Sequence, residues 1–415
     1  MADSTNFTRL ADNRIPAGDD WLSPEALSAL TQEELVRRAK ALTPVLAANA
    51  KEAERIRRPV DSVWQSLRDS GMFYHFVPKM YGGLEFDLNT FVDAMIALGE
   101  GCASTAWVAA FCIEHNWLLT QFPKQAQDEI FGSHPYVIAP GVTAPPGTAK
   151  PVDDGYMLSG RWMFGTGVMH ADWIMASGAV EGSSPPQTML FVFPAKDAEV
   201  IDTWHVDGMS GTGSNDIVVR DLFVPSHRSV ELTRVRAGRG PGTEIHASPI
   251  FKIPTFPFQA LAAAAPAIGL ARSAVAYFRD GLKDRIIFGT ASAQAEKPAA
   301  QIRLARADAM VRVAEIAIRD AARATTELGI SGEGDDPAAR TNVRVQIAYA
   351  VDLSRSAIRT ICEGSGAKAH SLNNPLQRAM RDINVIASHV AFDLDGVLEL
   401  QGRIMIGLPP NTFVL

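Results

Sequence analysis

Four long alanine-rich amphipathic stretches, at 260–287, 298–328, 338–370 and 375–407, constrain this chain more than any other feature. Each repeats apolar residues at helical spacing and must bury that stripe against a neighbour. The breaks between them are short: Phe288-Gly289, Gly329-Ile-Ser-Gly-Glu-Gly334 and Ser371-Leu-Asn-Asn-Pro375. Long helices with short connections predict a four-helix bundle over 257–415. Asn374 ahead of Pro375 supplies an N-cap and a first-turn proline for its last helix.

The rest of the chain has two other textures. Residues 23–135 read as a helical domain. Ser23-Pro24-Glu25-Ala26 is a helix start, Thr31-x-x-Glu34 a capping box, and the small, apolar run 101–119 suits a buried helix. Residues 136–236 read as a β domain, with strands at 136–142, 156–164, 173–180, 188–194 and 217–225. Pro145-Pro-Gly, Asp153-Asp-Gly, Gly182-Ser-Ser-Pro-Pro and 208–215 read as turns between them. This spacing predicts an antiparallel sheet or small barrel, and the lack of βαβ alternation argues against a Rossmann fold. Residues 1–22 read as a loose arm, and 237–256 as a loop or lid able to gate a site. The expected fold class is therefore mostly α with a central β domain.

Composition narrows the partners. Lys and Arg number 39 against 46 Asp and Glu, a net charge of −7, which argues against nucleic acid or an anionic membrane. The most apolar run, 256–271, is shorter than a span needs and is interrupted by Gln259 and Pro266. No signal-peptide pattern opens the chain, and three cysteines make no disulfide framework, so a reducing, cytoplasmic setting is expected. There is no G-x-G-x-x-G between strand and helix, no Walker A, no G-x-S-x-G, no H-E-x-x-H and no C-x-x-C, so no stable NAD site, serine nucleophile or metal is expected.

Several strings, in order, resemble the acyl-CoA dehydrogenase superfamily of flavoproteins. They are Gly208-Met-Ser-Gly-Thr-Gly-Ser-Asn-Asp216 with Ile217-Val-Val-Arg-Asp-Leu-Phe-Val-Pro225, then Arg285-Ile-Ile-Phe288-Gly289 with Gln301, then Glu363-Gly-Ser-Gly366, Asn374-Pro375 and Arg381-Asp382. The similarity covers roughly residues 30 to 405. Where the dehydrogenases carry a Tyr-Glu-Gly-Thr-like string, this chain reads Ile386-Ala-Ser-His389-Val390. That string, together with Trp107 and His115, is similar to the two-component flavin monooxygenases on this fold, such as the oxygenase components of p-hydroxyphenylacetate hydroxylase and secosteroid phenol hydroxylase.

The resemblance implies an oxygenase that takes reduced flavin (FMNH2 or FADH2) from a separate NAD(P)H:flavin reductase, forms a C4a-hydroperoxyflavin with O2, and hydroxylates a small aromatic, phenolic substrate. It also implies a homotetramer, with bundle faces completing the flavin site. Such an enzyme must exclude water until substrate arrives. By resemblance Phe164-Gly165-Thr166-Gly167 lies against the isoalloxazine, with the Thr166 hydroxyl facing N5. Ser214 is a candidate for phosphate or for shaping its loop, while Lys252 and Arg285 are candidate cationic partners of the flavin.

The residues add their own chemistry. A phenol titrates near ~10, so a base must remove its proton at neutral pH, and imidazole at ~6.5 suits that task. His389 is the first candidate, expected mid-helix with Asp382 or Asp393 on its face to orient it. His115 is the second: Trp107, Phe111 and His115 step at i, i+4 and i+8, an aromatic wall with one polar group. The alternatives are an acyl-thioester dehydrogenase, for which Glu399 is a poorly placed base, a non-catalytic relative, or a monooxygenase acting on an indole, sulfur heterocycle or amine.

Overall fold

The computed structural model describes residues 21–132, 134–287 and 289–412. The arm expected at 1–22 therefore falls almost wholly outside the described residues, as does Phe288. The N-terminal helices are α1 (Pro24–Ser28), α2 (Gln32–Ile56), α3 (Asp61–Asp69), α4 (Leu88–Gly101), α5 (Ala103–Leu119) and α6 (Lys124–Phe131). Ser23 caps α1 by accepting from the Ala26 amide, and Thr31 caps α2 by accepting from Glu34, so both predicted starts form. The Glu34 carboxylate turns outward to Arg37 and Arg38 (2.6 and 2.9 Å). Every residue of α5 except Phe111 is buried, the mark of a helix enclosed on all sides.

The middle of the chain forms β1 (Gly141–Val152), β2 (Gly155–Trp162), β3 (Trp173–Val180), β4 (Thr188–Pro194), β5 (Glu199–Ile201), β6 (Asp216–Pro225) and β7 (Ser229–Glu231). They make one seven-stranded sheet in the order β5-β6-β2-β1-β3-β4-β7. Two expectations are corrected. The sheet is mixed, because β1 and β3 pair in parallel. The first strand begins at Gly141 instead of Tyr136 and runs through Pro145-Pro146-Gly147, which read as a turn. A register shift between Val142 and Gly147 carries the prolines past the ladder, where their missing N–H groups break no pairing.

After α7 (Leu232–Arg236) come α8 (Thr255–Gly281), α9 (Pro298–Ser331), α10 (Pro337–Ser365), α11 (Pro375–Ala387) and α12 (Leu394–Met405). The bundle forms as expected, but its last helix is two pieces. Ser388 ends α11, His389 is extended (φ −68°, ψ 141°), and a 3-10 turn over Val390–Phe392 leads to α12. By length and composition α8 could cross a membrane, yet 78% of its most apolar window is buried in the protein. Close approach of α4 and α8 explains this: a Cβ on Gly99 would meet the Pro266 carbonyl at 2.5 Å, and one on Gly269 the Ile96 carbonyl at 2.1 Å. One apolar core runs through both helical regions, and the sheet has a smaller core of its own around Trp162, Phe191 and Phe193.

The 237–256 segment is tied down. Gln121 accepts from the Gly240 amide (3.1 Å), His246 meets Gln127 (2.8 Å), and Trp117 and Gln121 donate to the Ile250 and Phe251 carbonyls (2.6 and 3.1 Å). These buried bonds fasten the segment to the α5–α6 region.

Candidate active site

The segment after β2 turns sharply at Phe164 (φ 66°) and Gly167 (φ 90°). Only glycine fits at 167, where a Cβ would lie 2.7 Å from the Cys112 sulfur. The Gly165 amide donates to the Asn215 carbonyl (3.0 Å), joining this segment to the 208–215 loop. There the Thr166 and Ser214 hydroxyls meet at 2.9 Å, and Ser214 donates onward to Thr212 at 2.9 Å. The bundle fixes the loop from the other side. Asp382 of α11 accepts from the Met209 amide (2.6 Å), and Arg381 pairs with Glu54 of α2 (2.6 Å). Burial lifts the Asp382 carboxyl to about 6, against the pull of that amide. Phe164 stands 62% exposed, edge-on to Trp204 at 6.0 Å. A row of hydroxyls beside an exposed aromatic face fits a flat heteroaromatic ring such as a flavin, which presents acceptors along one edge.

A second group lies along α5. Trp107 and Phe111 are 5.1 Å apart between ring centres, and Phe111 and His115 5.7 Å. His389 closes the row from the bundle side, 5.7 Å from Trp107 and 5.8 Å from Phe392. Residues from the first and last helical regions thus meet in one aromatic cluster, the chamber of the proposed substrate.

His389 is not mid-helix, which corrects the expectation. It sits in the break between α11 and α12, where its Nδ1 accepts from the Ala391 amide (3.3 Å). With Nδ1 accepting, the neutral ring carries its proton on Nε2. Neither Asp382 nor Asp393 orients it. Asp382 is engaged by Met209, and among the described residues no hydrogen bond joins Asp393 to the imidazole. Burial lowers the His389 pKa to about 4 and that of His115 to about 4, so both rings are neutral at pH 7. The Ala139 backbone partly offsets this at His115.

The two cationic candidates stand apart from this group. Lys252 is exposed on a cleft of about 460 Å³ that is also lined by Arg234, Arg239 and Asp335. Arg285 lies against Gly366, beyond the end of α8. Sequence reasoning missed Thr212, whose hydroxyl extends the row, and Glu114, which is wholly buried beside His115. Glu114 was detectable: it is the only charged residue in the apolar run 103–119.

Fold and site together define a flavoprotein of acyl-CoA dehydrogenase type without the dehydrogenase base. The N-terminal domain pattern of acyl-CoA dehydrogenase matches residues 31–131, and the C-terminal domain pattern matches residues 261–394. A pigment production hydroxylase of Rhodococcus sp. (strain ATCC 21145) is 37% identical over 93% of this chain and 100% of its own. The oxygenase component of an FADH(2)-dependent resorcinol hydroxylase of Rhizobium sp. is 32% identical over 94% of this chain and 98% of its own. The structure of XiaF from Streptomyces sp., in complex with FADH2 and glycerol, superposes with a TM-score of 0.87 at 30% identity, covering 92% of this chain and 98% of that one. The chain belongs to the flavin-dependent monooxygenase branch of the acyl-CoA dehydrogenase family. It is an oxygenase that works with reduced flavin.

Proposed function

We propose that this oxygenase hydroxylates a small phenolic ring seated in the Trp107–Phe111–His389 chamber. The observation that carries the reading is His389: a buried, neutral imidazole 5.7 Å from Trp107, whose only engaged atom is Nδ1, through a long 3.3 Å contact with the Ala391 amide. Reduced flavin, when bound, supplies the electrons that let one atom of O2 enter an aromatic C–H bond while the other leaves as water.

The chain's own residues do the rest. Trp107 and Phe111 hold a flat ring by its faces. His389 takes the phenol proton on its unprotonated nitrogen, Nδ1, which gives up the 3.3 Å contact with the Ala391 amide, and the phenolate formed is electron-rich enough for electrophilic attack. The Thr166 hydroxyl, backed by Ser214 and Thr212, offers a hydrogen bond to the flavin edge, and the surrounding apolar core excludes water.

A dehydrogenase reading lacks its base. Glu399 is on the outer face of α12, accepting from Asn411 (2.9 Å), and Asp382 is bonded to the Met209 amide. Exposed Ile302, Val313 and Ile316 on α9, with Met405 and Ile406 at the end of α12, support assembly of the bundles into a homotetramer. A cytoplasmic site of action, beside the reductase, belongs to the same proposal; the buried, unpaired Cys102, Cys112 and Cys362 are compatible with it.

The test is 18O2 turnover of the protein with a flavin reductase, NADH and resorcinol or p-hydroxyphenylacetate. One labelled oxygen in a dihydroxylated or trihydroxylated product is expected. Oxidation of an acyl-CoA with dye reduction, and no labelled phenol, overturns the reading. Light scattering at micromolar concentration tests the tetramer, and a monomer there refutes it.

A further inference from the structure

Glu114 has no part in the reading above, yet it is the most unusual group near the chamber. It is 0% exposed, and neither carboxyl oxygen makes a hydrogen bond. A polar neighbour is the next residue: Oε2 lies 3.3 Å from Nε2 of His115, which is 2% exposed and is otherwise acted on only by the Ala139 backbone. The approach is within ion-pair range without being a formed hydrogen bond. A lone buried carboxylate costs several kcal/mol, so a carboxyl here is retained only if it is neutral or paired.

Among the described residues, burial alone shifts Glu114, with no charge acting on it. The first half of α8, 255–271, carries no charged residue. At the start of β1 and on β3, Gly141 and Met175 face His115, and neither titrates. Cys112 on α5 is held as a thiol by burial and by Asp172, whose own carboxylate accepts from the Ile138 amide (2.9 Å). His389 is separated from the pair by Trp107 and Phe111.

We propose that Glu114 is a positioning residue for His115: the two buried side chains hold one proton between them, and the carboxyl decides whether His115 faces the chamber as a neutral ring or as a cation. When the proton passes from Oε2 to Nε2, one O–H bond breaks, one N–H bond forms, and the pair remains neutral overall. This allows a buried imidazole to become charged without a net charge entering the core. Burial raises the carboxyl well above its ordinary range and lowers the imidazole, so the resting form is carboxylic acid beside neutral ring.

The kinetic part rests on the oxygenase reading, while the spectroscopic part does not. In flavin-free protein with 15N-labelled histidine, His115 is identified by the signal lost in His115→Gln. The proposal expects Glu114→Gln to change the two ring nitrogen shifts of His115. In the loaded enzyme, Glu114→Gln should lower product formed per O2 about tenfold, less than the ~100-fold expected for loss of a directly acting acid or base, and should move the pH profile. Glu114→Asp should restore part of both. Glu114→Met fills the same volume without a polar atom and should match Glu114→Gln. Unchanged His115 nitrogen shifts in both variants, or a wild-type pH profile and coupling, overturn the proposal. If no variant or wild type hydroxylates phenols but the shifts move, the pair stands and the substrate reading fails.

Discussion

The hydroxyl row at Thr166 and the aromatic chamber at Trp107 face the same part of the molecule but are built in opposite ways. In the row, each hydroxyl already has a partner: Thr166 meets Ser214, and Ser214 donates to Thr212. In the chamber, both Glu114 oxygens are buried without a hydrogen bond, and the His115 ring has only the Ala139 backbone acting on it. A satisfied network holds one geometry, whereas unsatisfied buried groups raise the energy of the ligand-free protein and reward a ligand that completes them. In the proposed reading the row is a fixed edge for a cofactor, and the chamber is where proton chemistry is kept ready.

That contrast can be broken first by acid. Burial lowers His75, His115 and His389 to about 4 and His170 to about 3. A histidine depressed in the folded state contributes stability that is complete above ~6.5 and lost as pH falls toward 4. Asp382 is raised to about 6, so its contribution runs the other way: it is present below about 4 and lost as pH rises to 6. His246 is lowered to about 4 as well, and burial also raises Glu100 and Glu114, so five histidines stand against three carboxyls. Thermal melts should therefore show Tm falling steeply between pH 6.5 and 4, and more steeply in Asp382→Asn. A flat profile removes the claim that the chamber side stores titratable groups at a cost to stability.

Next in size is His389→Ala, which should cut hydroxylation of a phenolic substrate about 100-fold, the low end for loss of a general base. The lifetime of the transient absorbance after mixing reduced flavin-loaded protein with O2 should not change. Thr166→Ala should do the reverse. Loss of one hydrogen bond, worth ~1–1.5 kcal/mol, shortens that lifetime about tenfold by stopped flow and releases H2O2, with the substrate's Kd unaltered. If either variant moves both quantities equally, the division between row and chamber is wrong. The smallest effect is expected from Lys252→Ala: the side chain is exposed on a separate cleft, and flavin affinity by fluorescence titration should stay within twofold.

Much of the architecture was legible because helix and strand periodicity are local. Ser23, Thr31 and Asn374 cap helices as their neighbours predict, and the four bundle helices appear where the alanine-rich stretches stand. Failures came where distant parts of the chain override a local signal. Pro145-Pro146 read as a turn, but a register shift against β3 lets a strand carry them. His389 read as helical because Ile386 and Val390 flank it, yet the chain breaks there, and the Ala391 amide turns back onto its ring. Asp382 looked like its orienting partner by helical spacing, and a backbone amide from the β region took that carboxylate instead.

The sequence by itself determined the three textures, the family and the identity of the aromatic and histidine residues, since these depend on residue type and spacing within one segment. Only the tertiary structure decided what those residues face. Trp107 and His389 are 282 positions apart and meet at 5.7 Å because the first and last helical regions share one core. The neutrality of both site histidines, and the isolation of Glu114 beside one of them, have the same origin. Burial is a property of the packed whole, and burial shifts the proton equilibria on which the chemistry depends.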